Sequence, residues 1–267
     1  MWGRHKILEV FAMGVRRLQE SFNIDPITVV STPEDMELCN DLKLNPVIHP
    51  NSPLGRKHNE GINDAFKKDW NRILIMGSDD LISTEGLEIL LNADRSHVGF
   101  RKMYAVNTEC DLALYFEYEK NTRLIGAGRM LTREAAMTSS YRCTFLPRNS
   151  RKITPTEYPF STAAATHLER RGLGRKKGGI FGLWEDGLER NLDNSSDINL
   201  SLCGFPPYCV EDEKTHIIDL KNELVQINYY SDLTMQEPHK QHEVKGWDWF
   251  LSTQEKKAIK QLQNKTA

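Results

Sequence analysis

Two adjacent carboxylates, Asp79 and Asp80, follow the apolar run Arg72-Ile73-Leu74-Ile75-Met76 across a Gly77-Ser78 pair. Like charges on neighbouring residues repel, so such a pair is held by a cation, by a helix-capping role or by open solvent. A hard divalent ion such as Mg2+ takes one or two carboxylates together with phosphate oxygens, so the pair suits a metal bridging a diphosphate. The competing reading is that Asp80 or Ser83 caps a helix beginning near Glu85. A second acid pair, Glu185-Asp186, stands beside Trp184 and has the chemistry of a general base; an acid-rich helix start would look the same.

The elements that position these groups alternate between strand and helix. Ile7, Leu8, Phe11, Val15 and Leu18 recur at three- and four-residue spacing, which predicts a helix over 5–20 with one buried stripe. A β-branched run at 26–30 predicts a strand, and Thr32-Pro33-Glu34-Asp35 carries an N-cap, a first-position proline and first-turn acids for a helix reaching about Leu42. A brief strand at 46–48, a helix over 57–68 and the strand at 72–76 follow. The pattern is that of a sheet covered by helices, with each ligand-bearing loop at the carboxyl end of a strand. Beyond it the sequence predicts strands at 98–106, 112–118 and 215–220, a helix opening near Thr132, loop composition over 147–180, and a basic, fraying helical tail over 253–267. There is no internal repeat.

The segment Asn51-Ser52-Pro53-Leu54-Gly55-Arg56-Lys57-His58-Asn59-Glu60-Gly61-Ile62-Asn63-Asp64-Ala65, then a strand, then Gly77-Ser78-Asp79-Asp80, resembles the nucleotide-sugar-binding half of GT-A glycosyltransferases, particularly family 2-like enzymes. The resemblance spans about residues 2 to 135. It implies a GT-A-like α/β fold, a Rossmann-type mixed sheet flanked by helices. The expected organisation is a nucleotide-sugar-binding half at 1–135, an acceptor-side half of the same domain at 136–252, and the tail. It also implies that Gly77-Ser78-Asp79-Asp80 stands at the family's DxD motif, with Asp80 as the Mn2+ or Mg2+ ligand and Asp79 beside the ribose or the metal. Ser78 takes the place of the motif's first aspartate. By the same match Lys57 and Asn59 lie near the nucleotide, where an ammonium neutralises phosphate and an amide reads a base or ribose; an ordinary solvated helix start is the alternative. The family's first strand ends ahead of a segment like Trp2-Gly3-Arg4-His5, which makes Arg4 a phosphate candidate. Either a preceding strand or another segment then occupies that sheet position, and an unfilled position would be an aggregation liability.

The resemblance extends roles to the second half. Gly128, in Gly126-Ala127-Gly128-Arg129, follows a strand as a similar segment does in the family, letting backbone approach a ligand; a tight turn is the alternative. Asp186 or Glu185 becomes the base that deprotonates the acceptor hydroxyl, while Trp184 stacks on a sugar or base. His216 lies near where many GT-A enzymes supply a histidine as a further metal ligand, and neutral imidazole is competent for that. A packed or hydrogen-bonded histidine is the plain alternative, and Asp219 and Lys221, two apart on one strand face, are alternates to it.

The chain carries 35 Lys and Arg against 37 Asp and Glu in 267 residues, so no global charge excess points to nucleic acid or a membrane surface. The basic run 170–179 is the local exception, either a solvated loop or a segment meeting diphosphate or a nucleic-acid acceptor. Five cysteines without CxxC spacing and no apolar run near the ~20 residues of a membrane span predict a cytoplasmic chain. The expectation is a metal-dependent glycosyltransferase, inverting by analogy. It would use a nucleotide-diphosphate sugar donor and an unidentified acceptor (glycan, protein or modified nucleic acid). A nucleotidyltransferase and a non-catalytic GT-A-like binding protein are the alternatives.

Overall fold

The structure, a computed structural model, describes residues 5–50, 54–108, 112–118, 124–136, 200–201, 204–221 and 242–263. Helix α1 (His5–Gln19) buries Ile7, Leu8, Val10, Ala12 and Leu18, as its apolar stripe requires. Strand β1 (Thr28–Val30) is followed by α2 (Pro33–Asp41), where Thr32 Oγ1 accepts from Asp35 N–H and Pro33 occupies the first turn. Next come β2 (Pro46–Ile48), α3 (Leu54–Ala65), β3 (Arg72–Ile75), β4 (Asp80–Ile82) and α4 (Thr84–Asn92). The later elements are β5 (His97–Gly99), β6 (Lys102–Asn107), β7 (Leu112–Glu117), β8 (Arg129–Thr132), β9 (Tyr208–Cys209), β10 (Ile217–Lys221), β11 (His242–Glu243) and α5 (Thr253–Gln263).

The strands form mixed α/β layers flanked by helices. β1 and β2 make a parallel pair; a four-stranded sheet runs β3-β8-β5-β9, and a five-stranded one β11-β7-β6-β10-β4. Both larger sheets mix directions, since β5 pairs parallel with β9 and antiparallel with β8, while β10 pairs parallel with β6 and antiparallel with β4. Leu18, Ile82, Leu87, Phe100, Met130 and Ile217 tie α1 and α4 to both sheets in the main core. No helix among the described residues is long and apolar enough to cross a membrane.

Three sequence expectations change. The strand foreseen at 98–106 is two strands in different sheets. The chain passes from one to the other at Phe100-Arg101, whose carbonyls accept from Ile125 N–H at 2.8 Å and Tyr118 N–H at 2.9 Å. Asp80, read as following the end of the strand at 72–76, itself opens a further strand, β4, whose three residues are too few to signal it in the sequence. The tail is not a fraying helix over its described part: α5 docks on α1, with Glu255 and Ile259 buried and Arg17 Nε donating to both Glu255 oxygens at 3.1 and 3.2 Å.

Candidate metal centre

Strand β3 ends at Ile75, and the chain turns through Gly77 to deliver Asp79 and Asp80 at the start of β4. A side chain at Gly77 would put its Cβ 2.5 Å from Asp80 Oδ2 and 2.8 Å from Asp79 Oδ1, so the two carboxylates close over this glycine and would have to move for any larger residue. Gly77 N–H donates to Asp80 Oδ2 at 2.5 Å. The antiparallel pairing of β4 with β10 sets Asp80 opposite Asp219, and Leu220 N–H donates to the Asp79 carbonyl at 2.8 Å. Asp79, Asp80 and Asp219 are all buried and each offers an oxygen within 4.8 Å of the others.

The ammonium of Lys221 meets this group. Lys221 shares a face of β10 with Asp219, and its Nζ lies 2.5 Å from Asp219 Oδ1 and 3.0 Å from Asp79 Oδ2. Burial opposes its charge, but Asp219, Asp79 and Asp80 outweigh that and raise its pKa. Burial, then Asp219, then Asp79, push the Asp80 carboxyl well above its ordinary range against Lys221 and the Gly77 N–H. Three buried oxygen donors on a cradle that excludes a Cβ fit a hard divalent cation.

The helix-capping alternative is answered by Ser83, whose Oγ accepts from Gly86 N–H at 2.8 Å at the start of α4. Asp80 is thereby left to the carboxylate group. His216 is not brought to it. Its side chain has the opposite strand parity to Asp219 and Lys221. Its Nδ1 meets Ser83 Oγ at 2.7 Å and its Nε2 meets Asp212 Oδ1 at 3.0 Å. Phe100 and Trp249 rings lie 5.2 and 5.7 Å away, and a Cβ at Gly86 would come within 2.5 Å of the His216 Cβ. Both ring nitrogens are thus used in packing, and the oxygen donor Asp219 stands where the imidazole was expected.

A cationic group lies at the carboxyl ends of the other strands. Lys57 Nζ donates to Ser31 Oγ at 2.9 Å, just past β1. Arg129, buried, pairs in register with Ile75 at the end of β3. Both act on His58, whose pKa is lowered by burial, then Arg129, then Lys57. The same guanidinium acts on His97, which burial first and Arg129 second lower to about 3. Sequence reading quoted Arg129 only as the end of a glycine-rich turn; its placement depends on the β3-β8 register, which the sequence does not display.

Gly128 has φ +75, and a Cβ there would lie 2.7 Å from Ile217 Cδ1. Its tight-turn reading is the one these contacts support. Asn59 belongs to α3, but its side chain, together with Arg4, Glu185, Asp186, Trp184 and the basic run 170–179, lies outside the described residues. No protein-family model matches the chain, and no curated protein sequence matches it.

Proposed function

We propose that the chain is a metal-dependent glycosyltransferase of the GT-A, family 2-like kind, moving a sugar from a nucleotide-diphosphate sugar to an acceptor hydroxyl with inversion. The observation that carries this reading is the group Asp79, Asp80 and Asp219, three buried carboxylates within 4.8 Å of one another with the Lys221 ammonium beside them. Mn2+ or Mg2+ held by these oxygens would neutralise the departing diphosphate. Lys57 and Arg129 add positive charge at the ends of β1 and β3, the side on which open α/β sheets take ligands. Asp186 or Glu185 takes the acceptor proton; the acceptor oxygen then bonds to the anomeric carbon as the bond to the diphosphate breaks. Lys221 bonds Asp219 and Asp79 on one side of the group and would offset part of their charge beside a bound cation.

The test is nucleoside-diphosphate release from a panel of nucleotide sugars with Mn2+ present. The expected result is metal-dependent release that falls at least ~100-fold in Asp80→Ala. An unchanged rate in that variant overturns the metal role. Pyrophosphate release instead identifies a nucleotidyltransferase, and absence of donor binding at millimolar concentration identifies a non-catalytic protein.

A further inference from the structure

Asp80 belongs to a strand of three residues that stands at one end of the five-stranded sheet among the described residues. Its neighbour β10 holds one edge of it. Leu220 N–H donates to the Asp79 carbonyl at 2.8 Å and Ser83 N–H to the His216 carbonyl at 3.0 Å, so positions 79, 81 and 83 turn their backbone groups to β10. Asp80 and Ile82 turn theirs outward. Ile82 is buried, and a buried carbonyl needs a donor. Arg17 of α1 supplies it, with Nη2 donating to the Ile82 carbonyl at 2.9 Å and Nη1 donating to Thr84 Oγ1 at 3.2 Å, where α4 begins.

The guanidinium is in turn oriented from α5. Its Nε donates to both oxygens of Glu255, whose side chain is fully buried. Glu255 is fixed by a capping box at the start of α5, since Ser252 N–H donates to its Oε2 at 2.7 Å and its own N–H donates to Ser252 Oγ at 3.2 Å. Packing follows the same route. Leu81 clusters with Ile7 and Val10 of α1 and Ile259 of α5, and a Cβ at Gly14 of α1 would come 2.8 Å from Leu81 Cδ2. Helices α1 and α5 thus hold β4 by its middle side chain and by its last carbonyl.

Strand geometry carries that hold to the carboxylates. Side chains two apart share a face, so the course of the backbone at Ile82 sets where the Asp80 side chain points, with Asp219 directly opposite it. Arg17 spends Nε, Nη1 and Nη2 on three elements at once, which a lysine ammonium on a flexible stem cannot reproduce.

We infer that Arg17, oriented by Glu255, is a positioning residue for the Asp80 carboxylate, so that the docking of α5 sets the affinity of the cation site. The inference rests on the metal site of the proposed transferase and adds to it a control from outside the carboxylate group. Groups that orient a metal ligand without touching the ion change metal affinity by roughly 10- to 100-fold.

The experiment is Mn2+ titration of the metal-free chain and of two near-isosteric variants. Arg17→Lys keeps a charge beside Glu255 and loses the fork, and Glu255→Gln keeps the shape and loses the charge. Each is expected to weaken Mn2+ binding about 10-fold. The double variant should bind no more weakly than Arg17→Lys alone, because Glu255 acts through the guanidinium. Leu44→Ala, in the buried cluster shared by α1, β1 and α2, is the stability control. It should lower Tm at least as far and leave Mn2+ affinity unchanged. Unchanged affinity in both single variants, or equal weakening in Leu44→Ala, overturns the inference and leaves the cation site standing. Absence of Mn2+ binding by the unsubstituted chain overturns the site and the inference together.

Discussion

Strand β10 and the residue that leads into it carry buried polar groups of opposite strand parity, and they differ in how their charges are answered. On one face His216 is matched at each nitrogen, by Ser83 and Asp212, and is wrapped by Phe100 and Trp249. On the other, Asp219 joins Asp79 and Asp80 around Lys221, and the Asp80 carboxyl is driven above its ordinary range. A buried polar group that is fully satisfied serves packing. One whose charged form stays disfavoured beside a cationic partner, as Asp80 does, is suited to an external cation.

Changing the partners on either face tests that contrast. The largest effect is expected for Lys221→Met, which leaves three buried carboxylates without their ammonium and costs about 4 kcal/mol in chemical denaturation at pH 7. Saturating Mn2+ should restore most of that loss; a loss that metal does not touch would break the contrast. His216→Leu should cost about 3 kcal/mol, through the stranded Ser83 and Asp212 groups and lost ring packing, with Mn2+ affinity unchanged. A drop in Mn2+ affinity would return His216 to the metal site.

A smaller effect belongs to His97, which extends the contrast to a buried base beside a cation. Its folded pKa is depressed to about 3 from 6.5. The unfolded chain therefore binds the proton first, so stability is whole above pH 6.5 and falls as pH drops below it. At pH 5 the loss is about 2 kcal/mol, and His97→Gln should flatten the slope of Tm between pH 7 and 5. The smallest effect is a gain. Asp80 has a raised folded pKa, so its contribution is favourable below the ordinary value of 3.8 and is lost as pH rises through the folded one. Asp219→Asn removes the nearest repelling charge. The metal-free protein should gain about 1 kcal/mol at pH 7 and lose its stabilisation by Mn2+.

Much of this frame was legible in the sequence. The short apolar run before Gly77 and the β-branched strand at 28–30 place β3 and β1, and Thr32-Pro33 marks the start of α2. The carboxylate pair was legible because it interrupts an apolar pattern. Asp219 was visible only as a strand-parity alternate to His216, since alternation shows which residues share a face but not which face meets β4. The splitting of 98–106 into β5 and β6 was hidden because both pieces are apolar and the crossing depends on distant carbonyl partners at Phe100 and Arg101. Helix α5 read as a basic tail because its lysines mask Ile259, and the Arg17-Glu255 pair that docks it joins residues 238 apart.

The central claim is that Asp79, Asp80 and Asp219 form one cation site, and calorimetric titration of the metal-free protein with Mn2+ tests it most directly. The account predicts one saturable site whose affinity falls as pH is lowered, because burial and then Asp219 favour the neutral form of Asp80 over the carboxylate that a cation needs. It also predicts loss of binding in Asp80→Asn and Asp219→Asn. Saturable binding that survives both substitutions, or none up to millimolar Mn2+, would contradict it.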